Sequence, residues 1–368
     1  MVLTFPHMGQ MYIPAKAFFE EMGIETIPPP PVTKKTLELG TKYSPELVCL
    51  PFKINLGNYI ESIEKGADTI VITGSCGPCR FGLYGIVQVE ILRELGYDVD
   101  MLILDPPRED YPKLMENLKK LGEGKDFKTV SRAARKAAPI VIMCDKLYEL
   151  AVYKRAREKT KGDTDRILNE FEAATEKIHG ADGIAKLLKQ YKEELKQVPE
   201  KKGYKPIYIG LVGEIYTLIE PYVNLNIEQK LGLLGVHVDR NMRVDWWVRT
   251  HLLPDIPLRI KEKIILRRGQ PYLGMCIGGH ARQTIAHSID YARKGYDGII
   301  QVMPFACMPE VVAQSILPSV SKDKGIPIMT FTVDELTGDG GYNTRLEAFV
   351  DTIKQRKRKD KGRKRYNG

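Results

Sequence analysis

The chain has 368 residues, of which 43% are hydrophobic and 28% are charged, and its formal net charge is +9. This length exceeds the roughly 250–300 residues that one hydrophobic core supports, so two domains are expected. The sequence has no apolar run near the ~20 residues of a membrane span and no signal-peptide pattern, so we expect a cytoplasmic protein without a membrane partner.

The first 110 residues alternate short apolar runs with helix-like segments. Strands are predicted at residues 2–5, 25–27, 47–49, 69–73 and 99–104, and helices at 12–22, 54–65 and 83–95. This alternation is typical of a parallel sheet with helices on both faces. Residues 1–110 are therefore predicted to form an N-terminal α/β lobe.

Residues 111–203 lack strand signals and carry long charged segments with a helical period, which predicts a helical connector. Strand signals return over 204–353, at residues 207–212, 236–238, 272–275, 298–302 and 327–332. The fold class predicted from these patterns is α/β, with two parallel-sheet lobes of similar plan that face each other across a cleft.

The remaining residues, 354–368, form a basic tail. Residues 354–365 include nine Lys and Arg and one Asp, so most of the net charge lies there. The tail is expected to be a solvated, disordered end, although such tails also bind nucleic acid or acidic partners. The rest of the chain has no basic face with interleaved aromatic residues, so nucleic acid is not an expected partner.

A C-x-x-C motif follows the predicted strand at 69–73. Cys76 and Cys79 lie in the segment T-G-S-C-G-P-C-R-F-G, whose glycines and proline suit a tight turn. In open α/β sheets, ligands bind beyond the carboxyl ends of the strands. Zinc, iron–sulfur and redox dithiol sites all use this spacing, so the motif alone leaves the chemistry open.

Three further cysteines, Cys49, Cys276 and Cys307, lie at predicted strand-to-helix junctions. Structural disulfides are rare in the cytoplasm, so this placement favours metal binding, and thiols near helix N-termini are expected to have lowered pKa values. Cys144 lies within a predicted helix, where packing is at least as good an explanation as metal ligation.

Two alternative hypotheses for the cysteines are a structural zinc site and a redox dithiol. A closed zinc site normally pairs two close-spaced motifs, and this sequence has one. A thioredoxin-type dithiol needs only Cys76 and Cys79 and leaves the other cysteines unexplained.

Acid–base candidates follow the same predicted strand ends. His280, in C-I-G-G-H, and Glu214 are candidate catalytic proton donors, and His7 beside a Gly turn is a weaker one. Lys53 and Arg80 are candidates to hold an anionic substrate or to balance the charge of the site. The sequence lacks a P-loop and a G-x-G-x-x-G motif, so it does not indicate nucleotide binding.

Several long motifs occur in order: P-E-L-V-C-L-P-F-K, T-G-S-C-G-P-C-R-F-G-L-Y, C-I-G-G-H, M-P-F-A-C-M-P-E and T-R-L-E-A-F-V-D. Together they resemble the 2-hydroxyacyl-CoA dehydratase superfamily, and more closely its activase-related or double-cubane-cluster branch. The resemblance extends over about residues 2–353.

This resemblance implies two flavodoxin-like lobes, a helical section and an iron–sulfur cluster in the inter-lobe cleft. Dehydratase subunits hold one 4Fe–4S cluster with three cysteines, whereas double-cubane proteins hold an 8Fe–9S double cubane with six. Both receive electrons from a separate ATP-hydrolysing iron–sulfur activator protein. A homodimer is also implied.

We therefore expect a low-potential iron–sulfur protein that reduces or dehydrates a small-molecule substrate. The expected cluster ligands are Cys49, Cys76, Cys79, Cys276 and Cys307. One alternative is a non-catalytic cluster scaffold or electron relay for a partner reductase. Another is a zinc-stabilised binding protein that uses its basic tail on acidic partners.

Overall fold

The first lobe is built on a small parallel sheet. The structure, a computed structural model, describes residues 1–74, 79–104, 111–122, 124–252 and 255–366. Strands β1 (Leu3–Thr4), β2 (Thr69–Thr73) and β3 (Asp100–Leu104) pair in that order. Thr26 makes a parallel bridge to Leu3, so a minimal extra strand adjoins β1. The helices of this lobe are α1 (Tyr12–Glu21), α2 (Lys34–Tyr43), α3 (Leu50–Ile63) and α4 (Tyr84–Glu94).

The helical section follows the first lobe and packs against it. It comprises α5 (Tyr111–Leu121), α6 (Phe127–Arg155), α7 (Asp163–Lys177) and α8 (Ala181–Gln197). Ile13 and Ala17 of α1 share one buried cluster with Ile140, Leu147 and Phe171 of this section. The section is therefore anchored to the first helix of the chain.

The second lobe has a four-stranded parallel sheet in the order β5-β4-β6-β7. Its strands are β4 (Ile207–Gly213), β5 (Val236–Arg240), β6 (Gly298–Pro304) and β7 (Ile328–Val333). Its helices are α9 (Ile215–Ile219), α10 (Ile227–Leu233), α11 (Val244–Trp247), α12 (Ile256–Gly269), α13 (Ala281–Arg293), α14 (Met308–Lys324) and α15 (Asp339–Tyr366).

Both lobes share one strand order, which confirms the predicted fold class of two flavodoxin-like lobes. In each, the first strand lies between the second and the third, with Thr26 as the second strand of the first lobe. Ligands in such sheets bind at the carboxyl ends of the strands where the order reverses. That position lies beyond β1 and β2 in one lobe and beyond β4 and β6 in the other.

The lobes are joined by buried contacts. Lys53 Nζ of α3 lies 2.5 Å from Glu335 Oε1, which follows β7, and the lysine is 2% exposed. His7 Nδ1 lies 2.8 Å from Glu220 Oε2. Ile54 of α3 belongs to the buried core of the second lobe. The junction between the lobes is thus packed as well as charged.

Two predicted strands are wrong. Residues 45–48 form a turn, in which Val48 N donates to Pro45 O, and α3 begins at Leu50. Residues 272–275 lie in the connection between α12 and α13, where Tyr272 and Leu273 pack on the α13–α14 cluster instead of joining the sheet. Cys49 and Cys276 therefore do not follow strands.

The basic tail is also different from the expectation of a disordered end, because α15 continues through it to Tyr366. Lys357 Nζ in this segment pairs with Asp297 at 2.8 Å. None of the helices within the described ranges is long and apolar enough to cross a membrane.

Candidate metal centre between the lobes

Three of the predicted ligand cysteines are helix N-cap residues. Cys49 precedes α3, Cys79 precedes a 3₁₀ turn (Arg80–Leu83), and Cys307 precedes α14. In the described structure none of these three side chains caps its helix with a hydrogen bond. The first backbone N–H groups of a helix are without intrahelical partners and carry partial positive charge, which suits an anionic sulfur or a group bound to it.

The three thiols converge from both lobes. A negative charge on Cys79 raises the pKa of Cys49, and a negative charge on Cys49 raises the pKa of Cys307. The Glu214 carboxylate raises the pKa of all three thiols. Cys49 and Cys79 belong to the first lobe, and Cys307 and Glu214 belong to the second. These four side chains therefore span the inter-lobe junction.

Burial sets the protonation state of these thiols. Loss of solvent is the largest influence and raises the pKa of Cys49, Cys79 and Cys307, and the negative charge of Glu214 adds to it. This corrects the expectation that helix N-termini would lower these values. Without a bound cation the thiols are neutral at pH 7. A reactive dithiol would need a lowered thiol pKa. A bound metal would instead displace the thiol protons.

Tyr84 ends one of the sequence motifs, but the sequence analysis did not select it as a site residue. Its Oη lies 2.6 Å from Cys49 Sγ, and its buried ring packs edge-on against Phe52 and Phe81. The hydrogen bond with Tyr84 opposes the effect of burial on the pKa of Cys49. The phenol is therefore placed to donate to a Cys49 thiolate.

Glu214 lies at the carboxyl end of β4, as predicted, but its carboxylate is engaged. It accepts hydrogen bonds from Tyr216 N at 2.9 Å and from Thr217 N and Thr217 Oγ1, both at 2.8 Å. Burial raises the pKa of Glu214 against these hydrogen bonds. The residue caps α9, and its role as a proton donor remains a prediction.

His280 is the N-cap residue of α13. Burial, and then the proximity of His251, lower its pKa to about 4. The imidazole is thus neutral at pH 7 and offers an N–H hydrogen-bond donor rather than an acidic imidazolium.

The loop that carries Cys276 and His280 adjoins the helix that Cys307 begins. A Cβ atom on Gly279 would lie 2.7 Å from Pro309 Cγ, so loop and helix are in close contact. The Cys276 side chain is exposed on this loop. The loop of Cys276 therefore lies beside the helix that follows Cys307, but the Cys276 side chain is exposed, unlike the other three thiols.

The other two cysteines differ from these. Cys76 lies outside the described residues. Cys144 is 1% exposed and packs in the helical section with Leu147 and Phe171. Its surroundings are those of a small core residue.

Glu310 is a second residue whose place in the site the sequence did not indicate. It lies in the first turn of α14, is 1% exposed, and accepts hydrogen bonds from Thr284 Oγ1 at 3.0 Å and Gln301 Nε2 at 2.9 Å. Burial raises its pKa to about 7, and Glu214 acts in the same direction. The acidic residue was visible after Cys307, but its burial depends on α13 and β6.

Lys53, Arg80 and His7 each form an ion pair or a hydrogen bond within the protein. Lys53 is paired with Glu335, and Arg80 Nη1 donates to Leu47 O at 2.7 Å. His7 is paired with Glu220. Lys53 and His7 therefore join the lobes rather than face a substrate.

The described part of the site offers three thiols and one carboxylate as donors. Among the described residues, no three His, Cys, Asp or Glu side chains surround one metal position. The thiolates of an iron–sulfur cluster bind different irons, so they do not share one ion's coordination sphere.

Residues 6–72 match a protein family described as the CoA enzyme activase uncharacterised domain. The matched segment runs from the end of β1 into β2 and includes Cys49 and Lys53. This similarity links the first lobe to activase-related proteins of the 2-hydroxyacyl-CoA dehydratase group. The comparison with curated proteins gave no match.

Proposed function

We propose that this protein is an iron–sulfur protein of the activase-related, double-cubane type, whose cluster lies at the junction of the two lobes. The observation that carries the proposal is the convergence of Cys49, Cys79 and Cys307 at three helix N-termini around Glu214. Their raised pKa values argue against a reactive free dithiol, and metal binding at this site would require the thiols to release their protons.

The proposed ligands are Cys49, Cys76, Cys79, Cys276 and Cys307. A 4Fe–4S cluster or an 8Fe–9S double cubane bound there would supply single electrons at low potential. The chain itself would stabilise the anionic sulfurs with helix N-termini and the Tyr84 hydroxyl. The Lys53–Glu335 pair would keep the two halves of the ligand set in register.

The proposed electron source is a separate ATP-hydrolysing iron–sulfur activator protein, and a homodimer is the proposed assembly. Apolar side chains beside the thiols support a docking partner: Leu47 is 68% exposed, Leu83 58% and Phe305 55%. Exposed apolar patches mark interaction sites more often than ordinary surface. The family match supports a partner of the dehydratase type.

The proposed reaction is reduction or dehydration of a small molecule in the cleft, as an oxidoreductase or lyase-like enzyme. A cluster scaffold or electron relay is a second candidate, because neither predicted proton donor is free for acid catalysis. Glu214 caps α9 with three hydrogen bonds, and His280 is neutral at pH 7.

The test is reversible reduction of anaerobically purified protein with titanium(III) citrate, followed by visible absorption spectroscopy. Bleaching on reduction and recovery on oxidation support an iron–sulfur function, whereas a colourless zinc protein contradicts it. Transfer of the cluster to an apo acceptor without substrate turnover would favour the scaffold over the enzyme.

A further inference from the structure

Helix α12 packs on the second lobe through one face only. Ile265 is 5% exposed, and Glu262 on the same side accepts hydrogen bonds from Trp246 Nε1 and His287 Nε2 at 3.4 and 3.2 Å. The neighbour on that side is α13. These contacts fix the orientation of the helix without involving its outer face.

The outer face of α12 carries an aligned apolar stripe. Ile256 is 63% exposed, Ile260 53% and Ile264 46%. Residues four apart lie one above the other on a helix, so the three side chains form a continuous row along about two turns. Single exposed apolar residues are ordinary, but a row of three β-branched side chains is the pattern of a helix seam.

The stripe is flanked by positive charge. Lys263 and Arg267 lie along one side of it and Lys261 along the other, and all three are exposed. Glu262 is the single acidic residue in the sequence of α12, and it is buried on the opposite face. The outer face therefore combines an apolar row with cations alone.

We propose that the α12 stripe (Ile256, Ile260 and Ile264 with Lys261, Lys263 and Arg267) is a docking surface for a partner protein. The partner presents an amphipathic helix whose apolar seam is flanked by Asp or Glu. An apolar row spaced at four residues matches one helix lying along it, and the flanking cations select acidic neighbours. This inference does not depend on the proposed cluster.

Charge and shape argue against the other occupants. Two copies of α12 side by side would oppose Lys and Arg, and the chain's own basic tail carries the same sign. A membrane-surface helix presents a wide apolar face, whereas this row is narrow and bordered by cations on the same side.

The experiment uses the full chain and two fluorescein-labelled peptides with the same leucine seam, one flanked by Glu and one by Lys. Fluorescence anisotropy at low salt is expected to show binding of the Glu-flanked peptide. I260S/I264S is expected to weaken that binding by at least about tenfold. K261E/K263E is expected to reverse the preference toward the Lys-flanked peptide.

Matched controls are Leu336→Ser, an exposed apolar residue elsewhere, and K322E/K324E at the end of α14. Both are expected to leave peptide binding unchanged, and circular dichroism checks that every variant is folded. Equal binding of the two peptides, or binding of neither, overturns the proposal. Stripe-dependent binding to phosphatidylglycerol vesicles or stripe-dependent dimerisation, without peptide binding, overturns it in favour of a membrane or a second copy.

Discussion

Two buried cysteines, Cys307 and Cys144, have different surroundings. The pKa of Cys307 is raised by burial and by the negative charges of Glu214 and Cys49 at the inter-lobe junction. Cys144 packs among aliphatic and aromatic side chains of the helical section. The sequence already separated the two, because Cys307 precedes a predicted helix and Cys144 lies within one. The tertiary structure agrees with this separation, since it packs Cys144 with core residues.

This contrast gives a matched pair of variants. Cys307→Ala is expected to lower iron bound per chain, because loss of a ligand should weaken binding by more than the roughly 10- to 100-fold typical of outer-shell changes. Cys144→Ala, which also changes a buried cysteine, is expected to retain wild-type iron. Measurement is by metal analysis after anaerobic reconstitution, and equal iron in both variants would contradict the assignment.

Asp145 of α6 gives the protein a predicted pH dependence. Its carboxylate accepts from Gln10 Nε2 at 2.7 Å and from Asp245 N, and burial and then the Asp245 charge raise its pKa to about 7. A carboxyl pKa raised in the folded state stabilises the protein at low pH. That contribution is lost as the pH rises from about 4 through 7.

In the wild type this group is expected to lower the free energy of unfolding by roughly 1–3 kcal/mol between pH 5 and 8. The Asp145→Asn variant is expected to lack this fall. Urea denaturation at pH 5, 6, 7 and 8 measures the slope. Exposed Asp182→Asn is the control and is expected to keep the wild-type slope. An unchanged slope in Asp145→Asn would show that another group is responsible.

At the scale of elements, the end of β4 packs closely against β6 beside Glu214. Gly213 has φ +142° and precedes Glu214, and a Cβ on it would lie 1.9 Å from Val302 O of β6. The strand ends can approach this closely only because residue 213 has no side chain.

Gly213→Ala is expected to destabilise the protein by about 3 kcal/mol or more, since backbone strain and a backbone clash add. Gly341→Ala, at the start of α15 with no atom within 4 Å of its added Cβ, is the control. It is expected to be neutral or stabilising by up to about 1 kcal/mol. Similar effects of the two in chemical denaturation would contradict this account of the strand end.

Local pattern predicted some elements well and others badly. The run Thr69–Thr73 is a strand at its predicted bounds, because it is apolar and β-branched and is followed by Gly74 in the sequence. Leu47 and Val48 are also apolar but are followed by Pro51 near the start of α3, where the chain is already helical. Short apolar runs do not distinguish a strand from a turn that packs on a core.

The site shows the same division. Cys79 could be selected from the sequence by the C-x-x-C motif, and Cys49 and Cys307 by their places at predicted strand-to-helix junctions. Tyr84 and Glu310 each end a quoted motif, but their roles could not be assigned from it, because those roles arise from contacts with distant segments and from burial. The direction of the thiol pKa shifts also required the fold, since loss of solvent outweighs the helix ends.

At the scale of the whole molecule, the strand order repeats in two lobes and the lobes meet through a few specific contacts. Lys53, 2% exposed, donates to Glu335 Oε1 and to Glu46 O. A buried ammonium without a carboxylate partner is unfavourable. This contact crosses from α3 to the segment after β7 and so joins the lobes.

Glu335→Gln is expected to lower the free energy of unfolding by about 1–3 kcal/mol, less than for a fully buried pair because Glu335 is partly exposed. The double variant Lys53→Met with Glu335→Gln should recover much of this loss, because the buried charge is removed. Exposed Glu347→Gln is the control. Equal stability of Glu335→Gln and wild type in urea denaturation would contradict a stabilising inter-lobe pair.

We propose that the inter-lobe thiols hold an iron–sulfur cluster. The most direct measurement is iron and acid-labile sulfide per chain after strictly anaerobic purification, with an electron paramagnetic resonance spectrum of the reduced protein. We predict iron and sulfide in similar amounts, about eight irons for a double cubane or about four for a single cubane. Zinc without sulfide, or no metal after anaerobic reconstitution, would contradict the account.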